Sequence, residues 1–430
     1  MRFCRHAALL ILLPVLFAPS IVRSQLVNGR FVTSIYAWEQ FDTVNVSKSY
    51  LRGLQSFIVD VTQSAFSLHT HVQAAATLRK ELEEEPDYRL YYLYGQVRGI
   101  GNAVDVSFGR LPFYAGVGNG TVDGLRLVAR VASDYKFTVY GGANTPFDLT
   151  FRNYKPLARN FTVGGQFLVT RVEHLRLGVS YINRSREVDP YWAIRPDSLF
   201  NPLSVYIVPE NRKEQLAGAD ASYQFSATRV YGRFDYDLNV QESHRAQLSV
   251  QTTVSENVAL SAEYFMRRPT IPYNSFFSVF PAEAVNEFEG GADLLLWPCL
   301  RGFVRGGYVK YTDDDSFRYT VGVAHNNVSV SYQGTSGYAG ELGLLTLQGA
   351  YGFADNRIVP SAALTYYSYK TGDSDAKQNA VAASLGATVR PFQVLSIDLQ
   401  GQWLHNKIVD SDVRFFGKLN YWFSERLSIF

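Results

Sequence analysis

The chain has 430 residues, of which 47% are hydrophobic, 19% charged and 14% aromatic, with a formal net charge of +2. This aromatic content excludes a disordered chain, and after residue 24 no apolar run reaches the ~18 residues typical of a membrane-spanning helix. Two cysteines, Cys4 and Cys299, exclude a disulfide framework and a four-cysteine zinc site.

Residues 1–24 have the layout of a secretory signal peptide. Arg2, Arg5 and His6 precede the apolar run Ala7–Ala18, which is too short to span a bilayer and ends in a small, polar segment. We predict cleavage near Ser24–Gln25. Removing the three Arg of this segment from the 41 basic residues leaves 38, against 39 acidic ones. A nucleic-acid partner therefore has no electrostatic support.

After the signal peptide, apolar and polar residues alternate over long segments. Ala246, Leu248 and Val250, for example, alternate with Gln247 and Ser249. A period of two indicates a β-strand with one apolar and one polar face. We place about 22 such segments, mostly ~9–12 residues long, and find no helical periodicity. The first five are predicted near 29–41, 50–61, 66–79, 88–97 and 102–111.

Strand length and connections together favour a membrane barrel. Strands of soluble proteins average ~5–6 residues, whereas a membrane-crossing strand needs ~9–11. Tight turns are predicted at 133–134, 171–174, 226–228, 255–257, 298–299, 326–327, 355–357, 391–393 and 424–426. They alternate with longer links at 112–121, 144–158, 184–214, 240–244, 268–286, 311–316, 335–341, 371–378 and 406–412. Short periplasmic turns that alternate with longer extracellular loops are typical of outer-membrane barrels.

Backbone hydrogen bonding requires that such strands close into a cylinder, because an open sheet edge cannot be satisfied in hydrocarbon. We therefore predict an all-β fold for residues 25–430: a transmembrane antiparallel up-and-down β-barrel of about 22 strands, within a range of ~18–24. The predicted location is the bacterial outer membrane. Aromatic residues near strand ends, such as Trp297, Trp403 and Trp422, are typical of the headgroup boundary.

The end of the sequence predicts an unfinished hairpin. Ser424–Arg426 has the composition of another tight turn, which would leave four residues for a new strand. We therefore expect the sequence to lack the last strand or hairpin of its barrel.

Charged residues of the polar parity are the candidate pore-lining residues, because apolar residues of the other parity would face lipid. On one side these are Arg126, Arg130, Lys136 and Arg176; further round they are Glu263, Glu287, Glu289, Asp293, Arg301 and Arg305. Separate basic and acidic walls would set a transverse field and bias which solutes pass. Alternatively, the charges pair across neighbouring strands and line a wet interior.

Motifs of soluble enzymes are absent from the sequence, including the nucleophile elbow, the phosphate-binding loop and the zinc-protease motif. His69 and His71 face the same way and could hold a metal, but a polar lumen lining is the favoured interpretation. No cluster of Ser, His and an acid could be assembled. We predict no enzyme activity, catalytic residue, metal or cofactor. The acidic run 80–87 is interpreted as a solvated outer loop, or as a site for divalent cations that bridge lipopolysaccharide.

The function predicted from these features is a porin-like channel for passive diffusion of small hydrophilic solutes. About 22 strands enclose more space than side chains fill, and strand patterns begin near residue 30, which leaves no plug-sized domain before them. Inward folding of 184–214 or 268–286 could narrow the channel. The alternative is a non-conducting barrel that acts as a scaffold, assembly factor or surface-binding protein. Expected partners are outer-membrane lipid and lipopolysaccharide, the barrel-assembly machinery and small solutes; the oligomeric state is not predicted.

One segment resembles a known family. Phe108–Leu127 contains a strand, Gly109-Arg110, a glycine-rich loop and Asp123-Gly124. This order resembles the corresponding hairpin of alginate-export and related substrate-selective porins, with Leu111 where that family has Gln. The resemblance implies a porin-like barrel with Arg110 and Asp123 at the pore.

Overall fold

A computed structural model describes residues 25–43, 46–79, 88–152, 154–196, 201–209, 213–269, 283–338, 340–370 and 376–427. The predicted signal peptide and the acidic run 80–87 lie outside the described residues. None of the helices in these ranges is long and apolar enough to cross a membrane.

Twenty-two strands form one closed antiparallel sheet. Each of these strands pairs with the strand before and after it in the chain, except that β9 pairs with β12, and β1 closes the sheet by pairing with β24. The strands β10 and β11 form a separate two-stranded sheet. A short 3-10 helix, Leu157–Arg159, precedes β8. The strands are β1 Gln25–Thr43, β2 Val46–Gln63, β3 Phe66–Arg79, β4 Tyr88–Ile100, β5 Val104–Ala115, β6 Gly118–Val131, β7 Tyr135–Asn144, β8 Asn160–Val169, β9 Leu175–Arg186, β10 Tyr191–Pro196, β11 Pro202–Ile207, β12 Glu214–Phe225, β13 Thr228–Asp237, β14 Glu242–Ser255, β15 Val258–Arg267, β16 Val285–Trp297, β17 Leu300–Lys310, β18 Asp315–His325, β19 Val328–Gly337, β20 Glu341–Ala350, β21 Ile358–Lys370, β22 Gln378–Phe392, β23 Leu395–His405 and β24 Asp412–Leu427. The predicted fold class and strand number are confirmed.

The two ends of the barrel differ in their connections. The short-turn end carries Gln25, Leu427 and turns such as 226–227 and 298–299, whereas the long-loop end carries connections such as 145–159 and 187–213. This asymmetry matches the predicted alternation and is typical of outer-membrane barrels.

Two predicted connections are wrong. The link predicted at 112–121 is instead paired strand on both sides of a tight turn at 116–117. The turn predicted at 424–426 lies inside β24, where Ser424 and Arg426 pair with Asn28 and Leu26 of β1. Its polar residues resemble a turn, but β1 starts early enough to supply backbone partners as far as Leu427.

The outer surface of the cylinder is apolar. Leu125 and Leu127 of β6 are 54% and 45% exposed, and Leu248 of β14 is 50% exposed. Their neighbours Arg126 and Ser249 take the opposite face, since successive residues of a strand alternate. An apolar band around the whole cylinder is far larger than the apolar patches of soluble monomers and fits a lipid environment.

This orientation can be tested at Leu248, midway along β14. We expect Leu248→Arg to destabilise the folded barrel in lipid by ~2–4 kcal/mol, because it would place a cation in hydrocarbon. Ser249→Arg is the matched control, because its side chain would point into the lumen toward Glu263, its neighbour across the sheet. Urea unfolding in lipid vesicles measures both; equal effects would contradict the assigned faces.

Candidate functional site

The upper part of the β5–β6 hairpin leaves the barrel wall and folds into the lumen. Pairing of β5 with β4 ends at Leu93–Arg110, and pairing of β6 with β7 ends at Val122–Asn144. The two strands remain paired with each other as far as Ala115 and Gly118. We call residues 111–122 the inner hairpin. Gly109 has φ +121°, a conformation that side-chain-bearing residues rarely adopt, and so permits the bend.

The inner hairpin is held first by apolar packing against the inner face of the wall. Leu111, Phe113, Ala115, Val117 and Val122 form one buried cluster with Tyr140 of β7, Ile182 of β9 and Leu216 of β12. The rings of Phe113 and Tyr140 stack with centroids 4.2 Å apart. The other face of the inner hairpin is open, since Tyr114 is 84% exposed. One face of this hairpin thus builds a small hydrophobic core inside an otherwise polar lumen.

Polar contacts fix the tip against the same wall. The Val117 N–H donates to Ser180 Oγ at 2.9 Å, and Arg126 Nη1 donates to the Pro112 carbonyl at 3.1 Å. Two further arginines reach backbone carbonyls of the tip: Arg184 bonds Asn119 at 2.5 Å and Arg233 bonds Gly116 at 3.4 Å. The inner hairpin has lost its backbone pairing with β4 and β7. These side-chain contacts supply hydrogen-bond partners for its backbone groups, as buried polar groups require.

The base of the inner hairpin is held by Arg110. Its Nε and Nη2 donate to both oxygens of Asp123 at 2.8 and 3.1 Å, and its side chain is 1% exposed. Its other bonds reach the 145–159 connection and β4: Leu90 O at 2.9 Å, Leu149 O at 3.0 Å, Thr150 O at 3.0 Å and Tyr154 Oη at 2.5 Å. A buried guanidinium tolerates its desolvation only with such a full set of acceptors.

Tyr154 closes this network from the loop side by donating to Asp123 Oδ2. Burial, followed by the hydrogen bond to Asp123, raises the pKa of the Tyr154 phenol to about 12. The phenol therefore keeps its proton throughout the physiological pH range. The resemblance placed Arg110 and Asp123 at the pore; the structure puts them at the base of the inner hairpin, where they bond each other.

The four basic residues predicted to line the pore share the inner face, but three are engaged by protein groups. Arg130 pairs with Asp105 at 2.7 Å, and Arg176 pairs with Asp220 at 2.7 Å. Arg126 bonds Ser107 Oγ at 3.3 Å besides the inner hairpin. Lys136 lies opposite Arg130 and is exposed.

The predicted acidic wall is also largely paired. Asp293 bonds Arg305 at 2.6 Å, and Arg318 of β18 bonds both Glu287 and Glu289, the latter at 2.8 Å. Glu263 accepts from Gln247 at 3.1 Å, and Arg301 lies on the inner face beside Leu295. Sequence reasoning missed Arg318, Asp105 and Asp220, because strand register decides which charges meet. The arrangement matches the alternative of cross-strand pairing better than two opposed charged walls.

One side of the lumen carries almost no charge. In the described parts of β19 to β22, charged residues occur only near strand ends, at Glu341, Lys370 and Arg390. The inner faces of these strands present hydroxyls and amides: Ser329, Ser331, Gln333, Thr346, Gln348, Thr365 and Ser384. All of these side chains are at least partly accessible. We call this surface the neutral wall.

A serine, a histidine and an acid meet near the short-turn end, contrary to the expectation that none could be assembled. His69 Nδ1 lies 2.6 Å from Asp60 Oδ1, and Nε2 lies 2.9 Å from Ser67 Oγ. Ser67 is 0% exposed and also accepts a bond from Arg98, and the His69 ring stacks on Tyr94. A nucleophile must reach its substrate, so this network links β2, β3 and β4 rather than presenting a reactive hydroxyl. Within the described residues, no group of three or more His, Cys, Asp or Glu is placed to hold a metal.

No protein-family model and no curated protein sequence matches the chain. Among solved structures it is similar to OccAB4 of Acinetobacter baumannii, at 9% identity over 95% of this chain and 100% of that one, with a TM-score of 0.44. It is similar to the translocation pore of the P pilus usher PapC, at 9% identity over 93% and 99%, with a TM-score of 0.46. It is also similar to OpdQ of Pseudomonas aeruginosa, at 8% identity over 93% and 98%, with a TM-score of 0.41. At these identities the likeness concerns the fold alone. The closed sheet itself defines the class, which within the described residues is a 22-stranded antiparallel β-barrel.

The docked position of the inner hairpin can be tested by thiol labelling in a Cys299→Ser background. We expect Ala115→Cys, at a position 1% exposed, to react slowly with a maleimide, and Tyr114→Cys, at an 84% exposed position, to react fast. Adding Arg110→Gln should speed labelling of Ala115→Cys, because Asp123 would lose both hydrogen bonds from Arg110 at the base of the inner hairpin. Arg171→Gln, in the exposed 170–174 turn, is the control. Equal rates at both positions in the parent would contradict the docked hairpin.

Proposed function

We propose that the protein is an outer-membrane channel for passive diffusion of small hydrophilic solutes, narrowed on one side by the inner hairpin. The observation that carries this proposal is the unequal filling of the lumen. The inner hairpin packs on β7, β9 and β12, whereas the polar side chains of the neutral wall stay accessible. A barrel of 22 strands is wide enough to retain a water-filled passage beside one hairpin.

The proposed orientation of the barrel in the membrane follows from the different connections at its two ends. We place the short-turn end in the periplasm and the long-loop end outside, as in other outer-membrane barrels. Lipid would contact the apolar outer surface, and lipopolysaccharide the long-loop end. Assembly by the general barrel-insertion machinery is part of this proposal, and conduction rather than catalysis is its function.

A second candidate is a surface-binding role, favoured by the β10–β11 hairpin. This hairpin forms its own sheet at the long-loop end, with Trp192 69% and Ile194 78% exposed. The sequence predicted that 184–214 could fold inward, but the described segment that does so is 111–122. The second predicted segment, 268–286, lies mostly outside the described residues.

Single-channel recording from the refolded full-length protein in a planar bilayer tests conduction. We expect discrete, stable steps. Replacing 112–121 by a two-residue Asn-Gly turn should raise the unit conductance, because the lumen loses its inward segment. Replacing 192–206 in the same way is the control and should leave the conductance unchanged. Silence from protein shown to be folded would reject the channel and favour the surface-binding role.

Ion preference provides a separate test. We expect Arg126→Ala combined with Arg130→Ala to shift the preference toward cations, because Asp105 loses the partner 2.7 Å away. The reversal potential under a salt gradient measures this shift. Arg171→Ala is the control, since its side chain lies outside the lumen at an exposed turn. An unchanged reversal potential would mean that these side chains do not face the ion path.

A further inference from the structure

Three aromatic rings form a continuous platform inside the long-loop mouth of the barrel. Tyr36 and Trp38 of β1 stack with centroids 4.9 Å apart and planes 17° apart, and Trp38 stacks on Tyr50 of β2 at 5.2 Å and 16°. They share the parity of the buried inward residues Val32 and Ser34, whereas Ile35, of the other parity, is 44% exposed on the outer surface. The platform therefore faces the lumen rather than the lipid headgroups.

The three rings are partly exposed. They lie where β1 extends beyond its pairing with β24. Pairing of β1 with β24 ends at Ala37–Phe415, so Trp38 stands at the rim of the closed sheet. A ring in this position has a face open to whatever enters the mouth. Lumen-facing aromatic surface is otherwise unexpected, because the interior of a wide barrel is polar.

A compact polar group lies on the adjacent strand at the same rim. Arg414 is the residue next to Phe415 toward the rim, and it lies on the inner face of β24. Its Nε and Nη2 donate to Asp412 Oδ2 at 3.0 and 2.7 Å. Asp412 is 4% exposed, and its Oδ1 has no hydrogen-bond partner within the described part of the chain. Asp412 therefore holds Arg414 from its buried side. The Arg414 side chain is 44% exposed, so its N–H groups are accessible to the hydroxyls of a bound molecule.

The aromatic platform and the Arg414–Asp412 pair together favour one class of ligand. A pyranose ring has an apolar C–H face and a rim of hydroxyls that both donate and accept. Flat aromatic side chains can cover the C–H face of the sugar. A paired Asp and Arg can bond its hydroxyls without adding net charge to the site. The neutral wall, reached from the same mouth, offers hydroxyls and amides but no charge along its length. An anionic or cationic solute would find no unpaired counter-charge at Arg414 or Asp412.

We propose that Tyr36, Trp38 and Tyr50, together with Asp412 and Arg414, form an entry site for neutral saccharides at the outer mouth. The inference deepens the proposed channel function by naming a solute class. A sugar ring would lie on Trp38 with its hydroxyls toward Arg414, which Asp412 holds in place, and would pass on to the neutral wall.

Binding can be measured without conduction, by isothermal titration calorimetry of detergent-solubilised full-length protein with maltotetraose. We expect saturable heats of binding for the parent and a Kd about tenfold higher for Trp38→Ala, the size of effect that one aromatic stacking contact gives. Trp38→Phe should retain most of the affinity, and Asp412→Asn should weaken binding. The matched control is Trp403→Ala, at the same end but on the outer face. A polyethylene glycol of similar mass should give no heat of binding.

A second readout separates this inference from the channel itself. In planar bilayers we expect maltotetraose to interrupt the ion current of the parent, and of Trp403→Ala, but not of Trp38→Ala at the same concentration. Currents without interruption, and no heat of binding, would overturn the saccharide site and leave the channel standing. Saturable binding by a protein that never conducts would support the site and reject the channel. Equal Kd values for the parent, Trp38→Ala and Asp412→Asn would overturn the site.

Discussion

The guanidinium of Arg110 is the interaction on which the interior of this barrel depends. When β5 and β6 bend away from the wall, their upper ends no longer pair with β4 and β7, and the cylinder loses part of its ladder at that point. Arg110 bonds Asp123 across the base of the bent hairpin and also Leu90, Leu149 and Thr150. One planar group with donors in fixed directions thus joins the hairpin, β4 and the 145–159 connection. Lysine could supply the charge but not this geometry.

The inner hairpin also explains why a hydrophobic core exists in a barrel at all. A barrel wall needs no core, since its apolar face contacts lipid and its polar face contacts water. Tyr140, Ile182 and Leu216 break that rule by placing apolar side chains on the inner face, and they are covered by Leu111 and Phe113. Burying this surface stabilises a docked hairpin. Close approach also restricts the sequence, because a side chain at Gly118 would overlap the Tyr140 hydroxyl.

The closed sheet could be predicted because its information is local. Alternation within each strand, as at Ala246–Val250, reports which side chains face lipid, and tight turns report where the chain reverses. The inner hairpin could not be predicted in this way, because 111–122 keeps strand-like alternation. Its position inside the barrel depends on contacts with residues distant in sequence, such as Tyr140 and Ile182. Gly109, Pro112, Gly116, Gly118 and Gly120 were the available signal. Ion pairs such as Arg318 with Glu287 depend on strand register, which alternation does not specify. The polar end of β24 has the composition of a turn, although it is paired strand.

The resulting lumen has two sides with different physical character. Where the inner hairpin docks and along β16 to β18, most inward charges meet partners, which keeps the lining polar while lowering its net field. Across β19 to β22 the lining is polar without being charged. In the proposed channel, a solute that crosses between these surfaces would exchange water for hydroxyl and amide partners on one side and meet little unpaired charge on the other. Selection by such a passage would depend on size and hydrogen-bonding capacity more than on the sign of the solute's charge. The proposed saccharide site at Trp38 would add a preference for flat apolar faces before that passage is entered.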